Sequence, residues 1–320
     1  MTQIFTKEEI ICSLDRKRVI ALIEEGFLLY SSGQVVTPPF GSLHFDEPPG
    51  DVHIKYGYIH HADDYVVKIA SGFHDNPTLG LPASQGLMLL FCRKTGSLKA
   101  ILLDEGYLTD CRTAAAGAVA AKYFAPKQVD RIGIVGTGTQ ALMQLCYLKE
   151  VTPCRDVIVW GRNKKNLAAY CSHPDLQDFD IIATEEIKMV TDLCNVIVTT
   201  TPSKKPLLIA GQVRAGTHIT AVGADGGGKQ ELEAALFGKA DIVCNDSRMQ
   251  CFEHGDTSYA IKQEIVDRDK IVELGEVVRN PALGRSQDDQ ITIADLTGNA
   301  VQDIQIATAI YEGMIHDRID

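Results

Sequence analysis

Residues 131–150 read RIGIVGTGTQALMQLCYLKE, and this stretch decides the fold. An apolar run typical of a strand ends at Gly136 and a helical pattern follows, which places Gly136, Gly138 and Ala141 in the spacing G-x-G-x-x-A. In a dinucleotide-binding turn the first glycine allows the tight turn, the second lets backbone approach a pyrophosphate, and the third small residue lets helix pack on strand. The helix N-terminus then offers unpaired N–H groups to the phosphates. This context predicts a dinucleotide site, against the alternative of a strand–helix turn with incidental glycines.

The strands that follow extend the same pattern. Short apolar runs recur in DVIVW (156–160), CNVIVTTT (194–201), THITAVGA (217–224) and ADIVCND (240–246), with helical stretches between most of them. Strand–helix alternation of this kind is typical of a parallel sheet with helices on both faces. The predicted fold class is therefore α/β, with a Rossmann doubly wound parallel sheet.

The first third of the chain has a different pattern. Strands are predicted in VHIKYGYI (52–59), YVVKIASGF (65–73), GLMLLFC (86–92) and LKAILLD (98–104), and turn signals rather than helices separate them. This indicates a sheet-rich α+β domain in front of the Rossmann sheet.

Helices are predicted around these strands. Apolar residues at three- and four-residue spacing indicate one amphipathic helix over residues 8–30. An alanine-rich helix is expected in TDCRTAAAGAVAAKYFAPK (109–127), with Thr109 or Asp110 as its N-cap and an end near its proline. The stretch GNAVQDIQIATAIYEGMI (298–315) is predicted to be helical as well.

Length, charge and cysteine content limit the class of protein. The chain has 320 residues, which favours two domains over one. A net charge of −11 argues against nucleic-acid binding, which needs a basic face. Apolar runs are too short for a membrane span, and the charged N-terminus does not read as a signal peptide. The nine cysteines are scattered without a CxxC pair, which favours free thiols in a cytoplasmic protein and no metal site.

The end of the second Rossmann strand bears on the choice of cofactor. An NAD site usually places an acid there to bind the ribose 2′-hydroxyl. This chain instead reads GRNKKN at residues 161–166, where Arg162, Lys164 and Asn166 suit a 2′-phosphate. The alternative is a solvated basic turn. We predict NADP(H) in preference to NAD(H).

Three basic residues in front of the Rossmann sheet suit an anion site. Lys55 and Lys68 lie within apolar strands, where a lysine must find a partner or extend its amine to water. Arg112 lies at the start of the alanine-rich helix, and its planar guanidinium suits a carboxylate or a phosphate. An edge lysine or a surface arginine is the alternative in each case. Together the three predict a clamp for an α-carboxylate.

The stretch AVGADGGGKQEL, residues 221–232, places glycines between Asp225 and Lys229. Glycine runs can cradle phosphates, but residues 136–141 already supply a better phosphate loop. The stretch follows a strand at the carboxyl edge of the sheet, where such folds bind ligands. We therefore expect it to present Asp225 as a general acid/base. Lys229 is expected to orient that acid or to contact the cofactor, with a surface position at a helix start as the alternative.

Several of these motifs together resemble the ornithine cyclodeaminase/mu-crystallin family. They are KIASGF (68–73), DCRTAAAGAVAAKYFAP (110–126), GIVGTGTQA (133–141), AVGADGGGKQEL (221–232), LGEVV (274–278) and ITIADLTGNAVQD (291–303), in that order. The resemblance implies a substrate-binding and dimerisation domain over residues 1–112, completed by a C-terminal helix over 300–320, and a Rossmann domain over 113–299. It also implies a homodimer that acts on a small amino or imino acid with a nicotinamide cofactor.

The resemblance implies roles for single residues. Lys68 and Arg112 resemble contacts to the substrate carboxylate and the cofactor, and Asp225 resembles the acid/base of amine-oxidising members. Asp225 and Lys68 are the candidate catalytic residues. The remaining positions resemble cofactor contacts: Gly138, Thr139 and Gln140 at the pyrophosphate, Arg162, Asn163 and Asn166 at the ribose phosphate, and Thr201 and Val222 beside the nicotinamide.

Two departures from the family pattern concern the substrate. The segment TPPFGSLHF (37–45) lacks the arginine with which many members hold the carboxylate, and Lys55 is a hypothetical substitute. Leu296 stands where many members carry a serine. Some acids are candidates at most for binding a side-chain amine of the substrate: Glu47, Asp63, Asp64 and Asp75.

The family implies more than one net reaction. Asp225 favours cyclodeamination or dehydrogenation of an L-amino acid, such as ornithine to proline and ammonia, because mu-crystallin-like members lack this aspartate. The basic turn favours the alternative, NADPH-dependent reduction of a ketimine such as pyrroline-2-carboxylate. A mu-crystallin-like protein that binds NADPH or a ligand without turnover is the alternative from another class, and the set Lys68, Arg112 and Asp225 argues against it.

Overall fold

The computed structural model describes residues 2–73 and 75–316. The chain divides into two compact units, one formed by Met1–Arg112 with Ala300–Asp320 and the other by Thr113–Asn299. The fold class predicted from the sequence, a doubly wound parallel sheet with an α+β companion, is confirmed by the strand order of both units.

The first unit is built on a mostly antiparallel sheet. Its strands are β1 (Gln3–Thr6), β2 (Val35–Val36), β3 (Gly41–Asp46), β4 (Pro49–Ile59), β5 (Asp64–Gly72), β6 (Ser84–Cys92) and β7 (Leu98–Leu103). They lie in the order β1-β7-β6-β5-β4-β2, with β3 paired to β4 and β1 parallel to β7. The four strands predicted in this region are confirmed, whereas β1, β2 and β3 were not predicted.

The N-terminal helical region is two helices, α1 (Lys7–Ser13) and α2 (Arg16–Ser31), so the single helix expected over residues 8–30 is wrong. The break comes from Asp15, whose carboxylate accepts a hydrogen bond from the N–H of Arg18 at 2.7 Å and caps α2. An acid that caps a new helix competes with continuation of the old one, and the apolar spacing runs on across the break.

The alanine-rich helix α3 spans Tyr107–Phe124, and it begins earlier than predicted. Thr109 and Asp110 lie inside its first turn, so neither is the cap. The carboxylate of the buried Asp104 instead accepts a hydrogen bond from the N–H of Leu108 at 2.8 Å. Gly106, at φ +87°, makes the turn that brings Asp104 to the helix end. Consequently Arg112 lies in the second turn of α3 rather than at its start.

The second unit is a doubly wound parallel sheet. Its strands are β8 (Ile132–Val135), β9 (Asp156–Trp160), β10 (Asp180–Thr184), β11 (Val196–Thr199), β12 (Lys204–Leu208), β13 (His218–Ala221), β14 (Gln230–Leu232), β15 (Ile242–Asn245), β16 (Val272–Glu273) and β17 (Thr292–Asp295). The main sheet has the order β10-β9-β8-β11-β13-β17-β15-β16, and β12 pairs separately with β14. The strand order reverses between β8 and β11, which is the point where such sheets bind ligands.

Helices connect these strands. They are α4 (Thr139–Leu148), α5 (Lys164–Cys171), α6 (Ile187–Leu193), α7 (Ala234–Lys239), α8 (Arg248–Cys251), α9 (Thr257–Lys262) and α10 (Leu274–Arg279). The core of this unit is apolar, and register places Val135, Ile197, Ile219 and Ile293 on one face of the sheet.

The chain returns to the first unit in α11, Ala300–His316. This helix packs against α2, β4 and β5. The helix was predicted over residues 300–320, of which 317–320 lie outside the described residues. Cross-strand register places buried side chains such as Met88 and Leu102 on one face of the sheet, and partly exposed apolar ones such as Tyr56 and Ile69 on the other.

Within the described ranges, no helix has both the length and the apolar character that a bilayer crossing requires. The cysteines carry free thiols, as predicted, and most of them are buried.

Candidate functional site

The carboxyl ends of the central strands of the second unit form one row. Register pairs Thr199 with both Val135 and Ala221, and pairs Asp295 with both Ala221 and Asn245. Every loop that carries a predicted cofactor or acid/base residue in this unit leaves from this edge or from the end of β9 beside it. The parallel sheet thus gathers positions that are far apart in sequence.

The turn between β8 and α4 has the geometry of a phosphate loop. Gly136 has φ +128°, and a Cβ there would come within 2.5 Å of the Thr200 hydroxyl, so only glycine fits. A Cβ at Gly138 would meet nothing within 4 Å, which leaves open space beside the backbone. Among the described residues no side chain caps α4, whose first turn contains Thr139 and Gln140. Uncapped N–H groups next to open space fit the pyrophosphate of a dinucleotide.

The basic turn after β9 is only partly available to a ligand. Arg162 is exposed, and Lys164 lies 3.5 Å from Glu185 at the surface. The side chain of Asn163 accepts hydrogen bonds from the N–H groups of Lys165 and Asn166, so it caps α5. Arg162 is therefore the residue of this turn best placed to meet a ribose phosphate.

The first unit brings its three predicted cations together around a carboxylate that was not predicted. Lys55 and Lys68 stand directly opposite each other on β4 and β5. The Lys68 amine lies 3.0 Å from the Asp303 carboxylate, and the Arg112 guanidinium lies 3.0 Å from the other oxygen of that group. Arg112 also donates a hydrogen bond to the side chain of Gln302 at 3.1 Å. Lys68 is 2 % exposed and Arg112 is 5 % exposed, so the cluster is buried.

Burial and mutual repulsion set the charge balance of this cluster. Burial first and the nearby Arg112 second lower the pKa of Lys68 from its ordinary value to about 7, although Asp303 opposes them. Burial raises the pKa of Asp303, but Lys68, Arg112 and Lys55 together bring it below its ordinary value. A buried group of three bases around one ionised carboxylate has the capacity to accept a further anion.

Lys55 lies next to the segment that lacks the family's arginine. Its amine is 5.2 Å from the ring centroid of Phe40, which belongs to TPPFGSLHF. Lys55 is 7 % exposed and faces Lys68 across the strand pair. Its position in the cation cluster is consistent with the hypothesis that it replaces that arginine.

The glycine-rich loop after β13 presents Asp225. The Asp225 side chain is 45 % exposed, and one of its carboxylate oxygens lies 2.7 Å from the Lys229 amine. Cβ atoms at Gly226, Gly227 and Gly228 would meet nothing within 4 Å. Lys229 does not start a helix, because β14 follows it. Of the expected roles for Lys229, orientation of Asp225 is the one that this ion pair fits.

Thr201 and Val222, expected beside the nicotinamide, lie in the loops after β11 and β13. Val222 is buried, and its N–H donates to the carbonyl of Thr199 at 3.0 Å. Thr201 donates from its N–H and from its hydroxyl to the carboxylate of Glu231, at 2.6 and 2.7 Å. The two loops are thus joined by a direct hydrogen bond and by Glu231, which also accepts from the N–H of Gly223.

Two of the acids considered for a substrate amine are already paired. Asp63 lies 2.7 Å from Lys94 at the surface, and Asp64 lies 2.6 Å from Lys99. Glu47 is exposed near the tip of the β3–β4 hairpin. Leu296 is buried, and its N–H donates to the carbonyl of Ala221.

Sequence reasoning missed Asp303 and Glu231. Both stand in quoted motifs, and the available signal was an acid among apolar neighbours: Asp303 lies in the first turn of an apolar helix, and Glu231 lies in a short strand. A carboxylate in such a position is rarely buried without partners, so each points to a donor or cation elsewhere in the chain.

Comparisons with known proteins identify the family. The model of the ornithine cyclodeaminase/mu-crystallin family matches residues 1–317. An uncharacterised cyclodeaminase of Sinorhizobium fredii is 40% identical over 280 residues, which are 87% of this chain and 85% of that protein. The chain belongs to the ornithine cyclodeaminase/mu-crystallin family, as the motifs predicted.

Two solved structures share the whole fold. An archaeal alanine dehydrogenase dimer with bound NAD has a TM-score of 0.90 and 33% identity, over 99% of this chain and 97% of that one. The Delta(1)-pyrroline-2-carboxylate reductase of Thermococcus litoralis, in complex with NADH and L-proline, has a TM-score of 0.93 and 27% identity, over 99% and 98%. The relatives are thus enzymes, namely a dehydrogenase, a reductase and a cyclodeaminase. This confirms the prediction that the chain is a member of an oxidoreductase and cyclodeaminase family.

Proposed function

We propose that this protein transfers hydride between a nicotinamide cofactor and the α-carbon of an amino or imino acid. The observation that carries the proposal is the buried cluster of Lys55, Lys68 and Arg112 around Asp303. Its positive charge exceeds what Asp303 neutralises, which suits the α-carboxylate common to these substrates. A bound nicotinamide would supply the hydride acceptor or donor.

Lys68 and Arg112 are proposed to bind the substrate carboxylate. Asp303 already holds both side chains in place, so a substrate meets cations whose positions are fixed beforehand. Lys55 would contribute a third positive charge from the opposite strand. The α-carbon of the substrate would then be placed by its carboxylate.

Asp225 is proposed to be the general acid/base. In amine oxidation the Cα–H bond breaks with its electron pair, the amine loses a proton and a C=N bond forms. Asp225 would take that proton, and Lys229 would orient it through their 2.7 Å ion pair. The partial exposure of Asp225 leaves the acid accessible to an entering substrate.

The presence of Asp225 favours oxidation of an L-amino acid, either as cyclodeamination of the ornithine type or as simple dehydrogenation. The second candidate is reduction of a ketimine such as pyrroline-2-carboxylate, which the exposed Arg162 favours because cells mostly use NADPH for reductions. A protein that only binds NADPH or another ligand would need neither Asp225 nor its oriented partner Lys229.

A substrate panel tests the proposal. The purified protein is mixed with NADP(H) or NAD(H) and with ornithine, lysine, arginine, alanine or pyrroline-2-carboxylate, and absorbance of the reduced nicotinamide is followed. Turnover of at least one of these compounds is expected. The Lys68→Met variant should then raise the KM of that substrate about 30-fold or more, because a buried charged contact contributes about 2–5 kcal/mol. Lys99→Met is the matched control, since Lys99 pairs with Asp64. Tight cofactor binding without turnover across the panel would instead favour the ligand-binding class.

We propose NADP(H) as the preferred cofactor. Arg162 is exposed at the end of β9, and that strand end carries no acid for a ribose 2′-hydroxyl. Arg162→Ala should weaken NADPH binding about tenfold, the effect of losing one exposed charge-assisted contact of about 1.4 kcal/mol, and leave NADH binding unchanged. Equal loss of both affinities, or wild-type preference for NADH, would contradict the assignment.

A cytoplasmic homodimer is proposed for the assembly. Free cysteines are typical of a reducing compartment. The outer face of the first sheet exposes apolar side chains that a second copy would cover, namely Ile4, Leu43, Phe45, Tyr56, Ile69 and Leu103. Light scattering of the wild type should give the mass of a dimer, and Ile69→Lys should give a monomer. Ile182→Lys, at an exposed position of the second unit, should leave the mass unchanged.

A further inference from the structure

The carboxylate of Glu231 joins the loops that follow β11 and β13, which carry predicted cofactor and acid/base residues of the second unit. The residue is fully buried. One oxygen accepts hydrogen bonds from the N–H and the hydroxyl of Thr201, at 2.6 and 2.7 Å. The other accepts from the hydroxyl of Thr199 and the N–H of Gly223, both at 2.8 Å. All the donors are neutral, and all come from the ends of β11 and β13.

These donors stand where the cofactor and the acid/base are expected. Thr199 and Thr201 flank Thr200, whose hydroxyl lies against Gly136 of the phosphate loop. Gly223 comes two residues before Asp225. A Cβ at Gly223 would lie 2.2 Å from the carbonyl oxygen of Thr201, so the two loops touch and only glycine fits between them. Glu231 is buried beneath the two loops, and its hydrogen bonds to both of them maintain this contact.

The backbone of Glu231 is itself fixed. Its N–H and that of Leu232 donate to one oxygen of Asp256, at 2.9 and 3.0 Å. The strand β14 that carries it pairs with β12, with Gln230 opposite Lys204 and Leu232 opposite Leu208. Since Glu231 cannot shift readily, the loops bonded to it take their positions from it.

We propose that Glu231 is a positioning residue that fixes the loop of Asp225 relative to the turn at residues 200–203. This inference rests on the proposed function, because it assigns the acid/base role to Asp225. Glu231 is fully buried, and its carboxylate bonds to Thr199, Thr201 and Gly223. It acts through Thr201, which is expected beside the nicotinamide, and through Gly223, which sets the start of the Asp225 loop.

The Glu231→Gln variant tests this, because the change keeps the shape and reverses the hydrogen-bonding character of one terminal atom. A carboxylate accepts at both oxygens, whereas an amide nitrogen only donates. The NH₂ group would face either the donors on Thr201 or those on Thr199 and Gly223. One loop should therefore separate from the other while the fold of the unit is kept.

The first readout is amide hydrogen exchange at Thr201 and Gly223. Glu231→Gln should raise exchange at one or both amides about tenfold or more, because at least one of them loses its buried hydrogen-bond acceptor. Glu233→Gln is the matched control: it is the same substitution two residues along the chain, and Glu233 accepts from the N–H of Ala210 instead. Its exchange at Thr201 and Gly223 should equal that of the wild type.

The second readout is steady-state kinetics. Glu231→Gln should lower kcat about 10- to 100-fold, because misplacement of a catalytic group by roughly 1 Å has an effect of this size. The KM of the amino or imino acid should stay within about threefold, because the cation cluster of the first unit is unchanged. A merely structural role would reduce the melting temperature and leave kcat of the folded protein unaltered.

The outcomes separate this inference from the proposed function. Wild-type exchange and wild-type kcat in Glu231→Gln would overturn the inference while the proposed function stands. A wild-type protein without turnover would overturn the proposed function, and the exchange at Thr201 and Gly223 would then decide the positioning role alone. If Glu231→Gln does not fold, Thr199→Val replaces it, since that variant removes one hydroxyl donor from the same carboxylate. Unchanged exchange and kcat in Thr199→Val would then overturn the inference.

Discussion

The two units bury charged side chains in opposite ways. In the first unit, Lys68 and Arg112 form ion pairs with Asp303. The buried cations outnumber the carboxylate, and charged groups compensate one another. In the second unit, the carboxylates of Glu231 and Asp256 are bonded to neutral hydroxyl and N–H groups. A cluster with surplus positive charge can accept an anionic ligand. A cluster whose donors are loop N–H groups instead fixes the shape of those loops.

The difference extends to protonation. Burial raises the pKa of Glu231 and of Asp295 to about 7, and burial together with Asp295 and Glu231 raises the pKa of Asp256 well above its ordinary value. In the first unit, the pKa of Lys68 is lowered to about 7, because burial and Arg112 disfavour its charge. Both clusters therefore change charge near neutral pH, with opposite consequences for stability.

Replacing Asp225 by Asn should have the largest effect on turnover. Loss of a general acid/base reduces kcat by about 10²- to 10⁴-fold. The binding of the substrate carboxylate, which we propose for the first unit, should be unchanged. Steady-state kinetics on the best substrate of the panel measures both. A kcat equal to that of the wild type would remove Asp225 from the chemistry.

Asp303→Asn should break the charge balance of the first unit. Lys68 and Arg112 would remain buried without their carboxylate, and removal of one partner from a buried ion pair lowers the free energy of unfolding by about 3–5 kcal/mol. Hydrogen exchange of β5 and α11 amides measures this loss. Asp64→Asn serves as control, because its partner Lys99 is partly exposed and can be solvated. Equal losses in the two variants would show that the cluster around Asp303 contributes no more to stability than the pair of Asp64 and Lys99.

The two units should respond to pH in opposite directions. Glu231 and Asp295 have folded pKa values near 7, above their values of 4.5 and 3.8 when unfolded. Between these limits the folded state binds more protons than the unfolded state, so the free energy of unfolding falls as pH rises from 5 to 7. Of the groups facing them, Asp256 has a pKa raised by burial and by Asp295, so it acts in the same sense, and the charge of Asp246 helps to raise the pKa of Asp295.

Lys68 has a folded pKa of about 7, below its value of 10.5 when unfolded. Above pH 7 the folded state therefore binds fewer protons, and the stability of the first unit should rise towards pH 10. Urea unfolding followed by Trp160, the single tryptophan, reports on the second unit, and hydrogen exchange of β5 reports on the first. Each unit of pKa difference corresponds to about 1.4 kcal/mol. Parallel trends in both units would contradict this assignment of the buried charges.

The smallest effect is expected from Asp256→Asn. One oxygen of Asp256 accepts two N–H groups, which an amide oxygen can do equally well. The other oxygen has no hydrogen-bond partner among the described residues, and its charge is opposed by Asp295. The free energy of unfolding should change by less than about 1 kcal/mol. A loss as large as that of Asp303→Asn would mean that the second unit also depends on a buried charge.

The sequence allowed most of the fold to be predicted, because apolar period and turn residues are local signals. The strands around Lys55 and Lys68 and the turn at Gly136 and Gly138 follow from such signals. The errors arose where a polar side chain decided a helix boundary. Asp15 starts α2 and Asp104 starts α3, and each competes with a neighbouring pattern that looks equally helical.

The candidate site was predicted only in part, because local signals identify some of its residues but not the distant residues that pair with them. Lys68, Arg112 and Asp225 stand in recognisable motifs, and Lys229 lies in the same motif as its partner Asp225. The carboxylates of Asp303 and Glu231 instead bond to residues at sequence separations that no local pattern reveals. Asp303 follows Lys68 by 235 residues, and Glu231 meets Thr199 across 32. Only the packing of α11 on β5 and the pairing of β14 bring these carboxylates to their partners.

The interruption of the first unit by the second has a consequence for biosynthesis. The sheet with Lys68 and the helix with Arg112 leave the ribosome early, whereas Asp303 is made after the whole of Thr113–Asn299. Until α11 emerges, the nascent first unit has apolar sheet surface uncovered and lacks the carboxylate that compensates its buried cations. The second unit, continuous in sequence, can fold first. Released chains truncated before Ala300 should therefore resist protease in Thr113–Asn299 and be cleaved in residues 2–73.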